Sequence, residues 1–134
     1  MAAKTTKVTN QEDVLRALLD VEDTPEKDVF MKRFNVHFRI RAIDGKVINR
    51  IREQATYPTK NGKELDEEKF GALIIQKACV VPNWADSQLL DKYGTHDPSD
   101  VIQKRLLAGE IAKLTTEIMD ISGFADDKEE ELKN

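Results

Sequence analysis

Cysteine and histidine are almost absent from this chain of 134 residues. Cys79 is the only cysteine, so an intrachain disulfide is impossible, and its apolar neighbours Val80 and Val81 favour a small buried side chain over a nucleophile. The two histidines, His37 and His96, lie far apart along the chain and lack the clustered partners that a zinc site needs. We therefore expect neither a metal nor a cofactor.

Features that catalysis or membrane insertion would require are also missing. The six glycines are scattered singly, so there is no glycine-rich phosphate loop, and no serine lies in a nucleophile-elbow pattern. No apolar run approaches the roughly 20 residues that cross a bilayer, and residues 1–10 lack the apolar core of a signal peptide. The net charge of -4 disfavours a nucleic-acid binder. These absences predict a non-enzymatic cytoplasmic protein that binds another protein, with no membrane or nucleic-acid partner.

The residues that are present are typical of one folded domain. The chain is 40% hydrophobic and 34% charged, which is a globular composition toward the polar end of the range. Residues 1–9 have little apolar content and half of residues 125–134 are acidic, so we expect a flexible N-terminus and a flexible acidic tail around a single domain of residues 10–124. A run of basic residues between positions 39 and 52 is interleaved with apolar ones, which favours a solvated face.

Apolar residues recur at helical spacing along most of the chain. Asn10 is a candidate N-cap for a first helix over residues 11–20, which carries Val14, Leu15, Leu18 and Leu19. Later helices are predicted over residues 46–55, from a cap at Asp66 to residue 78, from a cap at Asp86 to Gly94, over residues 98–107 after a cap at Asp97, and along a stripe from Ile111 that ends at Gly123.

Alternation with a period of two marks one clear strand, over residues 34–42. Its apolar residues, among them Phe38 and Ile40, alternate with polar ones, so we predict that these two side chains face a layer of helices. Residues 29–32 are a candidate partner strand, and residues 57–63 are predicted to form a loop. The predicted fold is α+β and mostly helical, with five to six helices and a small antiparallel hairpin near residues 28–43.

The C-terminal half holds the candidate partner-binding surface. Trp84 either anchors a short helix to the core, which is the favoured alternative, or is an exposed interface anchor. The C-terminal helices carry more aliphatic residues than one buried face needs, and the surplus is either core or a groove for a partner helix. The predicted partner-binding positions are Trp84, Leu89, Tyr93, Leu107, Ile111, Leu114 and Ile118.

Several stretches together resemble the XkdN-like tail assembly chaperones of long-tailed phages and related prophages. The resemblance covers about residues 30–124 and depends on the order of the elements as much as on any one motif. A short link near Phe34 departs from the longer hairpin loop expected in the family. The matching stretches are HFRIRAIDGKVINRIREQA, ACVVPNWADSQLLDKYG and DPSDVIQKRLLAGEIAKLTTEIMDISGF.

The resemblance implies a non-catalytic chaperone. Such a protein binds the tape-measure protein and keeps it soluble in the cytoplasm of the bacterial host, helps to recruit the tail-tube protein, and is absent from the mature virion. Self-association is left open. In many phages a frameshift adds a C-terminal extension, which here would follow Gly123. Two alternatives remain: a structural tail component, and a small-molecule-binding regulator or enzyme, which a deep polar pocket with converging titratable groups would favour.

Overall fold

A computed structural model describes residues 10–20 and 24–124 of the chain. The mixed α+β architecture, with mostly helical residues, confirms the predicted fold class. The predictions of a flexible N-terminus and a flexible acidic tail concern residues outside the described ranges. The elements are α1 (Gln11–Asp20), β1 (Glu26–Met31), β2 (Val36–Arg41), α2 (Gly45–Gln54), β3 (Thr56–Thr59), β4 (Gly62–Leu65), α3 (Glu67–Ala78), β5 (Cys79–Val81), α4 (Ser87–Tyr93), α5 (Pro98–Arg105) and α6 (Ala108–Met119).

The predicted hairpin is formed by β1 and β2, which pair antiparallel with Val29 opposite Phe38. Phe38 and Ile40 are buried, as predicted, because alternate side chains of β2 point into the helical layer. The strand starts at Val36, later than expected, because Phe34 and Asn35 belong to the turn between the strands. Asn35 has a φ of 56°, a left-handed conformation that asparagine tolerates, so this turn closes without a longer loop.

Two β-structures were not predicted. Residues 79–81 form β5, which pairs antiparallel with β2 and completes a sheet of order β1-β2-β5. The segment predicted as a loop instead contains a second hairpin, in which Thr56 of β3 pairs with Leu65 of β4. Both structures are built from strands of three or four residues, too short to show a reliable alternation of apolar and polar side chains.

The helix starts follow the predicted caps. The carboxylates of Asp66, Asp86 and Asp97 accept hydrogen bonds from backbone N–H groups in the first turns of α3, α4 and α5, at 3.1, 2.8 and 3.0 Å. Gly94 ends α4 with a φ of 61°, the left-handed geometry that favours glycine at this position. These local signals therefore predicted most helix boundaries correctly.

The break between α5 and α6 lies earlier than the predicted interruption at Gly109. Leu106 and Leu107 adopt extended backbone angles, so α5 ends at Arg105. The carboxylate of Glu110 accepts the backbone N–H of Leu107 at 2.8 Å, which holds the first turn of α6. Gly109 lies within that turn. At the other end, α6 continues into a wide helical turn, Asp120–Phe124, in which Gly123 has a φ of 102°.

The core forms where α3 packs against α5, α6 and the inner face of the sheet. Gly71 permits the close approach of α3 and α6: a Cβ at this position would lie 2.7 Å from Ile111 Cγ2 and 3.0 Å from Thr115 Oγ1. Gly71 lies on the buried face of α3. Fully buried aliphatic side chains from β2 and the three helices meet here: Ile40, Ile74, Ile75, Ile102, Leu114 and Ile118.

Candidate partner-binding surfaces

The structure divides the seven predicted partner-binding positions into core and surface. Leu107 is 58% exposed, and Leu89 and Tyr93 are half-buried. A partner role for these three stays a prediction. The other four have no more than 5% of their surface exposed, so the core alternative accounts for them and the folded chain does not present them to a partner: Trp84, Ile111, Leu114 and Ile118.

Trp84 illustrates the core alternative. Its ring packs edge-on against Phe38, with centroids 5.9 Å apart, and Phe38 in turn stacks on Phe34 at 6.3 Å. The indole also lies beside Cys79. Burial raises the pKa of the Cys79 thiol to about 11, so the thiol is protonated at neutral pH and a poor nucleophile.

The described residues contain no cluster that suggests catalysis with a metal. No group of three or more His, Cys, Asp or Glu side chains within the described ranges is placed to hold a metal ion. No helix in the described part of the chain is both long and apolar enough to cross a membrane.

Among the described residues, the most exposed large apolar side chains lie on α1, outside the half of the chain that was expected to bind a partner. Every residue of this helix is exposed, although Asn10 caps it by accepting the N–H of Asp13 at 3.1 Å. We call its apolar face the α1 stripe; its members, with their exposed fractions, are Val14 (38%), Leu15 (46%), Leu18 (74%) and Leu19 (73%).

The sequence pattern predicted the apolar face of α1 but not that this face is exposed. Apolar residues at helical spacing show that a helix has an apolar face, and in a globular domain that face is normally assumed to join the core. An isolated helix shorter than about 12 residues is marginal in water, so α1 needs a covering surface to be stable. Because α1 has no buried residue, its covering surface is not provided by the described residues.

A second surface surrounds Leu107, at the start of α6. The turn after β1 and the first turns of α6 enclose a groove of about 510 Å³. We call it the Leu107 groove. Two apolar side chains, Met31 and Leu107, line the groove together with four long charged ones: Lys32, Arg33, Glu110 and Lys113.

An ion pair organises one wall of this groove. Arg33 donates two hydrogen bonds to the carboxylate of Glu110, at 2.9 and 2.7 Å, and a third to the carbonyl of Arg105 at 3.0 Å. The Arg33 hydrogen bonds are the main reason that the pKa of Glu110 falls to about 2. The guanidinium groups of Arg33 and Arg105 also lie over the ring of Phe34, at 4.4 and 4.8 Å from its centroid.

The groove remains electropositive despite this pair. Within the described part of the chain, neither Lys32 nor Lys113 forms an ion pair, and Lys113 instead donates to the carbonyl of Phe30 at 2.7 Å. Three cations therefore face one carboxylate, which gives the lining side chains a net charge of +2. The hydrogen bond to Glu110 is the main reason that the pKa of Arg33 is raised, and Tyr93, a predicted binding residue, adds a smaller contribution in the same direction.

The outer face of the sheet is less suited to an apolar partner. Arg39 occupies its centre and forms ion pairs with Glu26 at 3.0 Å and Asp28 at 2.8 Å. The basic residues between positions 39 and 52 are exposed, which confirms the prediction of a solvated face. Phe30 is 42% exposed and packs against the ring of His37, with centroids 5.0 Å apart, and Val81, which pairs with Arg39, is 52% exposed, so these apolar side chains lie among charged ones.

Two curated proteins of Bacillus subtilis (strain 168) are similar in sequence to this chain. The uncharacterized protein YqbN is 35% identical over 101 residues, which are 71% of this chain and 68% of YqbN. The phage-like element PBSX protein XkdN is 33% identical over 91 residues, 62% of each chain. The matched part thus spans less than two thirds of XkdN.

The fold is also found in a solved structure. The crystal structure of the protein YqbN matches with a TM-score of 0.63 and 27% identity, over 89% of this chain and 100% of that one. The family model described as phage XkdN-like tail assembly chaperone protein matches residues 5–134, nearly the whole chain. On that match, this chain belongs to the XkdN-like family of phage tail assembly chaperones.

Proposed function

We propose that this chain is a non-catalytic chaperone that binds the tape-measure protein of its phage or prophage. It keeps that protein soluble in the host cytoplasm while tail-tube subunits assemble, and it leaves before the virion is complete. The observation that carries the proposal is the α1 stripe, an apolar helix face with no cover among the described residues. A protein that holds apolar segments in solution needs such a face, because burial of apolar area drives association.

The exposed fractions of the stripe indicate which residues would contribute most. Leu18 and Leu19 each leave more than 70% of their surface in water, so they have the most apolar area to lose on binding. Val14 and Leu15 extend the same face by one turn. In helix-in-groove recognition, the apolar face of an amphipathic helix enters an apolar groove of its partner.

Coexpression with the tape-measure protein of the same phage or prophage tests the proposal. We expect the wild-type chain to keep the tape-measure protein in the soluble fraction and to co-purify with it. The variant Leu18→Gln/Leu19→Gln should fail at both, because glutamine retains helix propensity but removes the apolar face. The matched control Arg16→Gln/Ala17→Gln places the same residue type on the opposite side of α1 and should behave like wild type.

Each outcome has a defined meaning if circular dichroism shows that the variants are folded. A Leu18→Gln/Leu19→Gln chain that still solubilises the tape-measure protein would exclude the α1 stripe as the main contact. Substitutions at Leu107, Leu89 and Tyr93, the predicted positions that are not in the core, would then be examined in the same assay. Detection of the chain by mass spectrometry in purified, complete particles would favour the alternative of a structural tail component.

A further inference from the structure

Four basic side chains lie on one side of the molecule, where β2, α2 and α3 meet. Arg41 donates to the backbone carbonyl of Lys77 at 3.4 Å, and both residues line a surface cavity of about 380 Å³ together with Val47. On α2, Arg50 follows Val47 by three residues and Lys46 by four, so these positions are neighbours on the helix surface. We call this surface the basic face; its members are Arg41, Lys46, Arg50 and Lys77.

The charges of the basic face are exposed and unpaired. Within residues 10–20 and 24–124, none of its four side chains forms an ion pair. Two carboxylates lie nearby. Asp44 lines the cavity but caps α2 by accepting the backbone N–H of Val47 at 3.0 Å, and Glu53 lies one turn beyond Arg50. Four cations beside two carboxylates leave a net charge of +2 in a chain whose net charge is -4.

The C-terminal residues begin beside this face. The hydroxyl of Ser122 accepts the backbone N–H of Ile43 at 3.0 Å, and Ile43 lines the same cavity as the basic residues. The described part of the chain ends two residues later, at Phe124. Residues 125–134 contain five carboxylates and two lysines, a net charge of -3. We infer that the acidic segment, residues 126–131, docks on the basic face of its own chain.

The distances permit this contact without any movement of the described elements. Arg50 lies seven residues after Ile43, roughly 10 Å away along α2. An extended chain spans about 3.3–3.6 Å per residue, so residues 129–131 reach roughly 16–25 Å from Phe124. The electropositive Leu107 groove lies at the opposite end of α6, which is about 18 Å long. The acidic segment therefore meets the basic face first.

The contact is reversible, and it regulates access to the basic face. Exposed ion pairs are individually weak and are screened by salt, so several must act together and the segment alternates between docked and free states. The paired charges remain at the surface of the protein. A partner that presents an acidic segment of its own must displace residues 126–131 before it can use this face.

Disulfide formation between introduced cysteines tests the inference in the full chain. Cys79→Ala removes the native thiol, and Leu132→Cys places a thiol directly after the acidic segment. Gln54→Cys places the second thiol one turn beyond Arg50, in a surface cavity that Lys77 also lines. These substitutions leave every charged residue of the two surfaces unchanged.

A second cysteine pair is the matched control. It combines Leu132→Cys with Thr116→Cys, an exposed position of α6 that lies about 12 Å of helix before Phe124. At low salt, the Gln54 pair should form its disulfide about tenfold faster than the Thr116 pair, because docking raises the effective concentration of the two thiols. Salt at about 1 M should remove this difference, since it screens the attraction between the segment and the face.

Charge substitutions identify the groups responsible. Lys46→Gln/Arg50→Gln/Lys77→Gln should slow the Gln54 pair to the rate of the control pair, because glutamine keeps helix propensity but removes the charge. Lys46→Glu/Arg50→Glu should have the same effect. The added exchange Glu129→Lys/Glu130→Lys should then restore fast disulfide formation. Circular dichroism shows whether each variant is folded, and the charge exchange decides the test if the triple variant is not.

A separate variant tests whether other carboxylates occupy the basic face. Glu22 and Asp23 directly precede Thr24, which lines the cavity. Glu22→Gln/Asp23→Asn should form the Gln54 disulfide at the rate of the unsubstituted pair. A faster rate would show that these two carboxylates cover the basic face instead of the acidic segment, and would overturn the inference.

Three further results would also overturn it. They are equal rates for the two cysteine pairs at low salt, a difference in rate that persists at high salt, and crosslinked dimers in place of crosslinked monomers on non-reducing gels. The last result would assign the contact to a second copy of the chain. The assay contains no tape-measure protein, so its outcome is independent of the proposed function.

Discussion

Helices α1 and α6 have the same kind of amphipathic sequence but opposite environments. α6 buries Ile111, Leu114 and Ile118 against α3, whereas α1 has no buried residue. The polar face of α6 is also tied to the sheet, since Glu117 pairs with a lysine of β1 and Lys113 donates to a carbonyl of the same strand. The comparison shows that an apolar stripe predicts a covered face, but does not say whether the cover comes from the same chain.

The largest difference should appear when a leucine is shortened in α6. Leu114→Ala should lower the free energy of unfolding by about 2–5 kcal/mol, because Leu114 is fully buried and the substitution leaves a cavity. Urea denaturation followed by circular dichroism measures this value. Thr116→Ala, an exposed change in the same helix, should stay within about 0.5 kcal/mol of wild type. A loss under about 1 kcal/mol for Leu114→Ala would show that Leu114 is not packed in the core.

Glycine substitutions test whether the contact between α3 and α6 is as close as the structure shows. Gly71→Ala should cost about 1–3 kcal/mol, because the added methyl group would meet Ile111 and Thr115, which outweighs the better helix propensity of alanine.

Gly109 provides the matched control for this experiment. It lies in the first turn of α6 with open space around it, so Gly109→Ala should gain about 0.4–1 kcal/mol. The two substitutions should therefore shift the urea midpoint in opposite directions. A gain at both positions would mean that α3 and α6 are further apart.

The pH dependence of stability tests the ion pair beside the Leu107 groove. The pKa of Glu110 is about 2 in the folded chain, below the value of about 4.3 for an unperturbed glutamate. Because this pKa is lower in the folded state, ionised Glu110 stabilises the fold. Its contribution to stability is complete above about pH 4.3 and is lost as the pH falls toward about 2. Melting temperatures across this acidic range should therefore fall less in Glu110→Gln than in wild type. If the melting temperatures of the two chains fall equally with pH, the ion pair between Arg33 and Glu110 does not stabilise the fold.

The smallest effect is expected in α1. Leu18→Ala should change the free energy of unfolding by no more than about 0.5 kcal/mol at low protein concentration, because 74% of this side chain is already exposed. A larger cost that grows with concentration would agree with docking on a second copy, since association stabilises the folded state by mass action. A cost above about 2 kcal/mol at every concentration would mean that α1 packs on its own chain.

Local chemistry in the sequence determined most of the secondary structure. Asp66, Asp86 and Asp97 each start a helix because a carboxylate three or fewer residues upstream satisfies a free N–H. The alternation around Phe38 and Ile40 determined which face of β2 is buried. The family resemblance also depended on the order of such local elements, and the match over residues 5–134 confirms it.

Long-range contacts decided the remaining features. β5 exists because residues 79–81 lie beside β2, which no short pattern reports. Tertiary packing also placed Ile111 and Ile118 in the core while leaving Leu107 and the α1 stripe in water. The physical reason is that periodicity specifies the direction in which side chains point, whereas burial depends on which surfaces of the folded chain meet.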